Sequence, residues 1–241
     1  MAESKLEKSM SRTRLFHVAV PEFVHSRTFR CIWLLEELGI DGFEICMLDP
    51  SAPYGPQMRQ YGVRYSHKLP TLQMDGLEIG ESGVISQVLA EKFEVGRSLL
   101  GEPAERIEML QWVAFAETCI TFRIPLLPKL MNDELPRQAL TAEVIEPMRR
   151  VFRDNVARFE AHFAGRRGEY LLDSGFSIAD SMCGWSLHTF HDWGIMDLDV
   201  GDSPKTMAYL ERLRARPAFQ LAERYAGAAP GRYGPGCVAI E

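Results

Sequence analysis

Long apolar runs are missing from the sequence: no stretch approaches the ~18 uninterrupted apolar residues typical of a membrane-spanning helix. The polar N-terminus, residues 1–14, lacks the apolar core of a secretory signal. An excess of positive charge is also missing, because the formal net charge is −6, which argues against general binding to nucleic acid or anionic lipid. These absences favour a cytoplasmic globular protein with no membrane partner and no nucleic-acid partner.

Cysteine is scarce and scattered. The five cysteines form no CxxC motif and no Cys/His arrangement typical of a metal site, so we predict no bound metal. Their odd number and wide spacing favour reduced thiols in a cytoplasm. Cys31 falls within a predicted helix beside Trp33, where we expect it to be packed.

Apolar periodicity divides the chain into two regions. Residues 15–93 read as β-α-β-α-β-β-α, with Gly39 as a helix stop and Asp75-Gly76 as a hairpin turn. Two glycines and a proline in residues 94–103 suggest a linker. Residues 104–226 read as helical throughout, so we predict an α/β domain at 15–93 and an all-α domain at 104–226.

Within the helical region, prolines mark predicted boundaries. Pro125 and Pro128 should bend or end the first long helix, and Pro147 is plausible as the first residue of the next one. An apolar, central helix is predicted over residues 178–192. The glycine- and proline-containing tail after Ala226 is expected to be irregular.

Pro70 opens the predicted third strand, in the stretch HKLPTL. One interpretation is an ordinary trans proline at the first strand position, where its missing N–H does no harm. The other is a cis bond after Leu69, which would turn the Leu69 backbone toward an extended ligand.

Glu81 and Ser82 stand where the third helix should begin. They could serve the helix itself, Ser82 as N-cap and Glu81 as a favourable negative charge. They could instead hold an α-amino acid, with Ser82 and the first-turn N–H groups on its carboxylate and Glu81 facing its ammonium.

Ser26 stands at the start of the first helix, with His25 before it. Ser26 could be an N-cap, or its hydroxyl could donate to a thiolate at the helix end, where such anions are stabilised. His25 could be a base or an exposed loop residue. Further on, Ser177 and Asp180 form a Ser-x-x-Asp box before an apolar helix, which we interpret as purely structural.

The order of four stretches resembles the cytosolic glutathione S-transferase superfamily: SRTFRCIWLLEELGI, HKLPTLQMDG, ESGVISQVLAEKF and GFSIADSM. The resemblance runs from about residue 15 to residue 226. It implies a thioredoxin-like α/β N-terminal domain, an all-α helical-bundle C-terminal domain and a homodimer. Ser26 aligns with the activating serine of the serine-type classes, with Arg30 at the matching spacing, and no tyrosine or cysteine lies in residues 15–26.

The same resemblance implies a glutathione site. The cysteinyl backbone of glutathione would pair with Leu69 beside cis Pro70, Glu81 and Ser82 would hold its γ-glutamyl end, and Lys68 would contact its glycyl carboxylate. The electrophile would lie in a cleft between the domains. Its far wall would come from one helical stripe, which could equally be core packing: Trp112, Phe115, Ala116, Cys119 and Arg123.

The favoured function is therefore a glutathione transferase that conjugates the glutathione thiolate to small hydrophobic electrophiles. Another glutathione-dependent reaction (dehalogenation, isomerisation, ether cleavage or peroxide reduction) is the first alternative. A non-catalytic glutathione-binding or interaction module is the second, and the segment PEFVH before Ser26, longer than is usual in the family, favours it.

Overall fold

A computed structural model describes residues 13–18, 26–40, 43–120, 142–166, 168–192, 202–226 and 237–238. The chain forms two compact units: Met1–Arg97 together with Ala215–Glu241, and Ser98–Arg214. The domain ranges 15–93 and 104–226 remain predictions. In the structure, the residues from Ala215 onward belong to the first unit.

The first unit is built on a mixed sheet, as predicted for an α/β thioredoxin-like domain. Its elements are β1 (Arg14–His17), α1 (Thr28–Glu37), β2 (Glu44–Met47), α2 (Tyr54–Arg59), β3 (Thr71–Met74), β4 (Leu77–Gly80) and α3 (Ser82–Lys92). The sheet order among the described strands is β4-β3-β1-β2-β5, where β5 is Cys237–Val238. Strand β1 is parallel to β2 and antiparallel to β3. The predicted order β-α-β-α-β-β-α is confirmed.

Two turn predictions are confirmed by backbone geometry. Asp75 and Gly76 have φ of 53° and 80°, as a tight hairpin turn between β3 and β4 requires. Gly39 has φ of 57° just after α1, where a left-handed residue ends the helix.

Strand β5 corrects the prediction for the tail. Ile45 and Cys46 of β2 pair in parallel with Cys237 and Val238. The prediction of an irregular tail is wrong at these two residues, because an edge strand presents unpaired N–H and C=O groups that a distant segment can join.

Helix α1 is covered by the last helix among the described residues, Pro217–Ala226, which we number α8. The Phe219 ring meets those of Phe29 and Trp33 edge-on, at centroid distances of 5.1 and 4.9 Å. Arg216, just before α8, donates twice to the Glu37 carboxylate at 2.5 and 2.7 Å. This apolar face of α1 is thus covered by residues from far along the chain. Cys31 is fully buried, as predicted.

The predicted linker has regular structure. Residues Glu94–Leu100 and Pro103–Glu105 form 3-10 helices. Gly96 lies so close to α3 that a Cβ there would stand 2.6 Å from the Ala90 carbonyl oxygen and 2.7 Å from its Cα. Gly96, one of the residues that suggested a linker, therefore permits close packing against α3.

The second unit is helical in the part that the structure describes. Helix α4 (Arg106–Phe115) continues into a π-helical turn (Ala116–Ile120), and α5 (Ala142–Ala164), α6 (Ile178–Asp192) and α7 (Pro204–Arg214) follow. Every residue of α6 from Ile178 to Phe190 is buried, which confirms the predicted central helix. Among the described residues, no helix is long and apolar enough to cross a membrane.

Proline positions were only partly predictable. Helix α5 begins at Ala142, so Pro147 lies inside it and not at its first residue as predicted. A proline in the first turn of a helix is tolerated, because the first four N–H groups have no intrahelical partner. Pro147 lies beyond this first turn, so its missing N–H removes one backbone hydrogen bond of the helix. The bends predicted at Pro125 and Pro128 lie outside the described residues.

The Ser177/Asp180 box is a structural device, as predicted, but a larger one. The fully buried Asp180 carboxylate accepts the Ser177 N–H at 2.8 Å, the Leu171 N–H at 2.9 Å and the Tyr209 hydroxyl at 2.9 Å. The Ser177 hydroxyl also donates to this carboxylate, at 2.9 Å. Burial raises the pKa of Asp180 to about 6, although these hydrogen bonds act to lower it. One carboxylate thereby ties the segment before α6 to α7.

Candidate functional site

Ser26 lies between the end of β1 and the start of α1. Its carbonyl accepts the Phe29 N–H at 2.8 Å, but α1 has Arg27 at the N-cap position and no side-chain cap. The N-cap interpretation of Ser26 is therefore wrong. The Ser26 Oγ lies 3.2 Å from Nδ1 of His17, a residue that the sequence analysis did not single out. His25 lies outside the described residues.

Ser82 is the first residue of α3, and Glu81 occupies the N-cap position with φ of 63°. The interpretation of Ser82 as the N-cap is thus wrong. Instead the Ser82 Oγ accepts a hydrogen bond from Arg30 Nη1 at 3.0 Å, and both residues are buried, with exposures of 2% and 0%. A guanidinium only donates, so the Ser82 oxygen is the acceptor in this bond.

The Arg30 side chain brings a positive charge to the start of α3, where the helix dipole already favours an anion. Sequence reasoning used Arg30 only as a spacing marker after Ser26. One sequence signal could have identified Arg30 as a site residue: it is a charged residue within an apolar stretch of α1. Its neighbours Phe29, Cys31 and Ile32 are all fully buried.

The Leu69–Pro70 peptide bond is cis, as the second interpretation of Pro70 predicted. Ladder pairing of β3 begins at Thr71, so Leu69 stands just outside the sheet. The Lys68 carbonyl accepts the Thr71 hydroxyl at 2.7 Å, which fixes the backbone before the cis bond. The Lys68 side chain is exposed.

A loop just before Lys68 is held by Glu78 of β4, which the sequence analysis also missed. Its carboxylate accepts backbone N–H groups of Arg64 at 2.5 Å, Tyr65 at 2.9 Å and Ser66 at 3.4 Å. Burial acts to raise the pKa of Glu78, but the three backbone bonds together lower it. The segment that leads into Lys68 and Leu69 is thus tied to the sheet.

The helical stripe predicted to face an electrophile is buried where the structure describes it. Trp112, Phe115 and Ala116 are at most 5% exposed. The Trp112 ring stacks on Phe159 of α5 at 5.1 Å, which is how a core side chain packs. The Cys119 side chain and Arg123 lie outside the described residues. The electrophile-binding role of the stripe, like the other site assignments, stays a prediction.

Comparison with known proteins matches the segment that contains these residues to one protein family. The family described as "Glutathione S-transferase, N-terminal domain" matches residues 23–102, a segment that includes Ser26, Arg30, Lys68, Leu69, Glu81 and Ser82. No protein among those with curated descriptions matches the sequence.

Solved structures of similar fold cover nearly the whole chain. A glutathione S-transferase from Xylella fastidiosa is 21% identical with a TM-score of 0.71, over 90% of this chain and 100% of that one. A glutathione transferase from Methylococcus capsulatus is 25% identical with a TM-score of 0.63, over 89% and 98%. A glutathione S-transferase from Methylobacillus flagellatus, solved with glutathione bound, is 18% identical with a TM-score of 0.66, over 87% and 98%.

The family match and the fold agree with the resemblance seen in the sequence. Residues 23–102 match the glutathione S-transferase N-terminal domain, and the chain shares the fold of solved glutathione S-transferases.

Proposed function

We propose that this chain binds glutathione on its first unit and transfers the glutathione sulfur to a small hydrophobic electrophile. The observation that carries the proposal is the buried Arg30–Ser82 pair at the start of α3, which lies inside the segment that matches the family. A homodimer is part of the proposal, and light scattering of the purified protein measures it.

The start of α3 would hold the γ-glutamyl end of glutathione. Its carboxylate would accept hydrogen bonds from the Ser82 hydroxyl and from first-turn N–H groups of the helix. The Arg30 guanidinium behind Ser82 would favour that negative charge. The exposed carboxylate of Glu81 would face the ammonium on the same carbon.

The rest of the tripeptide would run along the segment before β3. The Leu69 backbone, which lies outside the ladder, would pair with the cysteinyl residue beside Pro70. The exposed Lys68 ammonium would meet the glycyl carboxylate. Glu78 would contribute indirectly, because it fixes the loop that precedes Lys68.

The chemistry needs a stabilised thiolate. The glutathione S–H loses its proton to solvent, and the Ser26 hydroxyl would donate to the sulfur anion at the start of α1. The sulfur lone pair then forms a C–S bond to the electrophilic carbon, and the leaving group departs with its electron pair. The protein supplies orientation and a lowered thiol pKa.

Ser82→Ala is expected to weaken glutathione binding by about 1.5–3 kcal/mol, the range for a hydrogen bond to a charged group. Turnover at saturating glutathione should stay near the wild-type rate, because Ser82 touches the ligand far from its sulfur. Isothermal titration gives the affinity and a steady-state assay gives the rate. Ser86→Ala is the matched control, since Ser86 is a fully buried serine one turn further along α3. A large fall in the saturated rate with unchanged affinity would contradict the assignment of Ser82.

The proposal as a whole is tested by retention on immobilised glutathione, followed by an assay with an aryl halide acceptor. Retention and turnover are expected. Retention without turnover on any acceptor of a broad electrophile panel would leave a glutathione-binding module. No retention at all would reject the glutathione site itself.

A further inference from the structure

The Ser26 hydroxyl has one hydrogen and, in this structure, a histidine neighbour. Its Oγ and His17 Nδ1 are 3.2 Å apart, and either atom can donate, depending on the His17 tautomer. If Nδ1 is bare, the hydroxyl gives its only hydrogen to the ring. If Nδ1 carries a hydrogen, the ring donates to Oγ, and the hydroxyl hydrogen is left for a ligand.

We infer that His17 is the positioning residue for Ser26: with glutathione bound, His17 carries a hydrogen on Nδ1, donates it to Ser26 Oγ and leaves the serine hydrogen for the thiolate. This inference rests on the proposed function, in which Ser26 donates to the sulfur. A hydroxyl that accepts one hydrogen bond is polarised to donate a stronger one, so the ring also strengthens the bond to sulfur.

The placement of His17 suits this task. His17 is the last residue of β1 and is fully buried. In the parallel pairing of β1 with β2, it lies opposite Met47. Its backbone carbonyl accepts the Leu48 N–H at 2.8 Å. The backbone of His17 is thus held in the sheet, and its imidazole contacts Ser26 from this rigid element.

The tautomer is directly measurable. Full-length protein labelled with 15N at its six histidines, saturated with glutathione, is examined by long-range 1H–15N correlation. The His17 ring signals are assigned as those lost in His17→Asn. We expect Nδ1 to have the shift of a nitrogen that carries hydrogen. A bare Nδ1 would overturn the inference, because Ser26 would then have no hydrogen left for sulfur.

Two substitutions separate the hydrogen bond from the space that the ring fills. His17→Leu removes the donor, and we expect kcat about tenfold lower and the pKa of the bound thiol about one unit higher, as for the loss of one such bond. The KM for glutathione should change little. His17→Asn keeps an amide N–H close to the position of Nδ1 and should recover most of the loss. His188→Leu is the matched control, a buried histidine of the second unit that should move the melting temperature without moving the thiol pKa.

The double variant distinguishes this inference from the proposed function. Adding His17→Leu to Ser26→Ala should cause little further loss of rate, because the ring acts through the serine. If Ser26→Ala leaves the thiol pKa unchanged, the proposed role of Ser26 fails. If Ser26→Ala raises that pKa while His17→Leu does not, only the inference about His17 fails. Should His17→Leu not fold, the tautomer measured in the wild-type protein still decides the matter.

Discussion

Ser26→Ala is expected to raise the pKa of the bound glutathione thiol and to lower turnover roughly 10- to 1000-fold, the range for loss of one donor that stabilises developing charge. The physical reason is that the hydroxyl stands at the start of α1, beside His17, where its hydrogen can meet a sulfur anion. Glutathione affinity should change little, since Lys68, Leu69 and Ser82 would still hold the peptide. Thiolate absorbance followed against pH, with glutathione bound, gives the pKa directly.

Ser26→Thr is the control for this prediction, because it keeps a hydroxyl on the same Cβ. It should retain much more activity than the alanine variant. An unchanged titration of the thiol in Ser26→Ala would show that Ser26 has no part in activation. Another donor, such as a backbone N–H at the start of α1, would then stabilise the thiolate.

Asp180→Ala is expected to unfold the second unit or nearly so. Removal of the carboxylate leaves the buried donors of Leu171, Ser177 and Tyr209 without their acceptor. Each buried donor left unsatisfied costs about 1–3 kcal/mol, so the sum approaches the typical ~5–15 kcal/mol free energy of unfolding of a whole protein. Urea denaturation followed by circular dichroism measures the loss.

Two matched variants test this explanation. Asp180→Asn keeps one oxygen acceptor and most of the volume, so its cost should lie between those of the wild type and the alanine variant. Asp173→Ala removes an acidic side chain that is 67% exposed in the same unit and should cost less than about 1 kcal/mol. The structural assignment would be wrong if Asp180→Asn kept full stability yet lost activity, because that result marks a functional carboxylate.

The elements predicted well from the sequence depend on neighbours along the chain. The Asp75-Gly76 turn needs only residues that accept positive φ, and the central helix α6 shows its start signal and its apolar run within one continuous segment. Local chemistry of this kind leaves a direct trace in the sequence. The β-α-β-α-β-β-α order could be predicted because each of its elements shows such local signals.

The features that were missed depend on partners far along the chain. Arg30 and Ser82 are 52 residues apart, and β5 joins β2 from the tail. Ser26 shows the same limit at shorter range, because its partner His17 sits on a different element. No periodicity marks which buried polar group will face which other, since that choice is made by packing of the whole unit. The residues of a site are therefore easier to predict than the hydrogen bonds that orient them.

The helix that covers α1 sets the timing of folding during synthesis. The N-terminal unit is made first, but Phe219 and Arg216, which close its aromatic face, leave the ribosome only after the entire second unit. At ordinary translation speed the interval is roughly ten seconds. For that time Phe29 and Trp33 lack their final cover. The nascent chain thus exposes the apolar face of α1 while the second unit is being made.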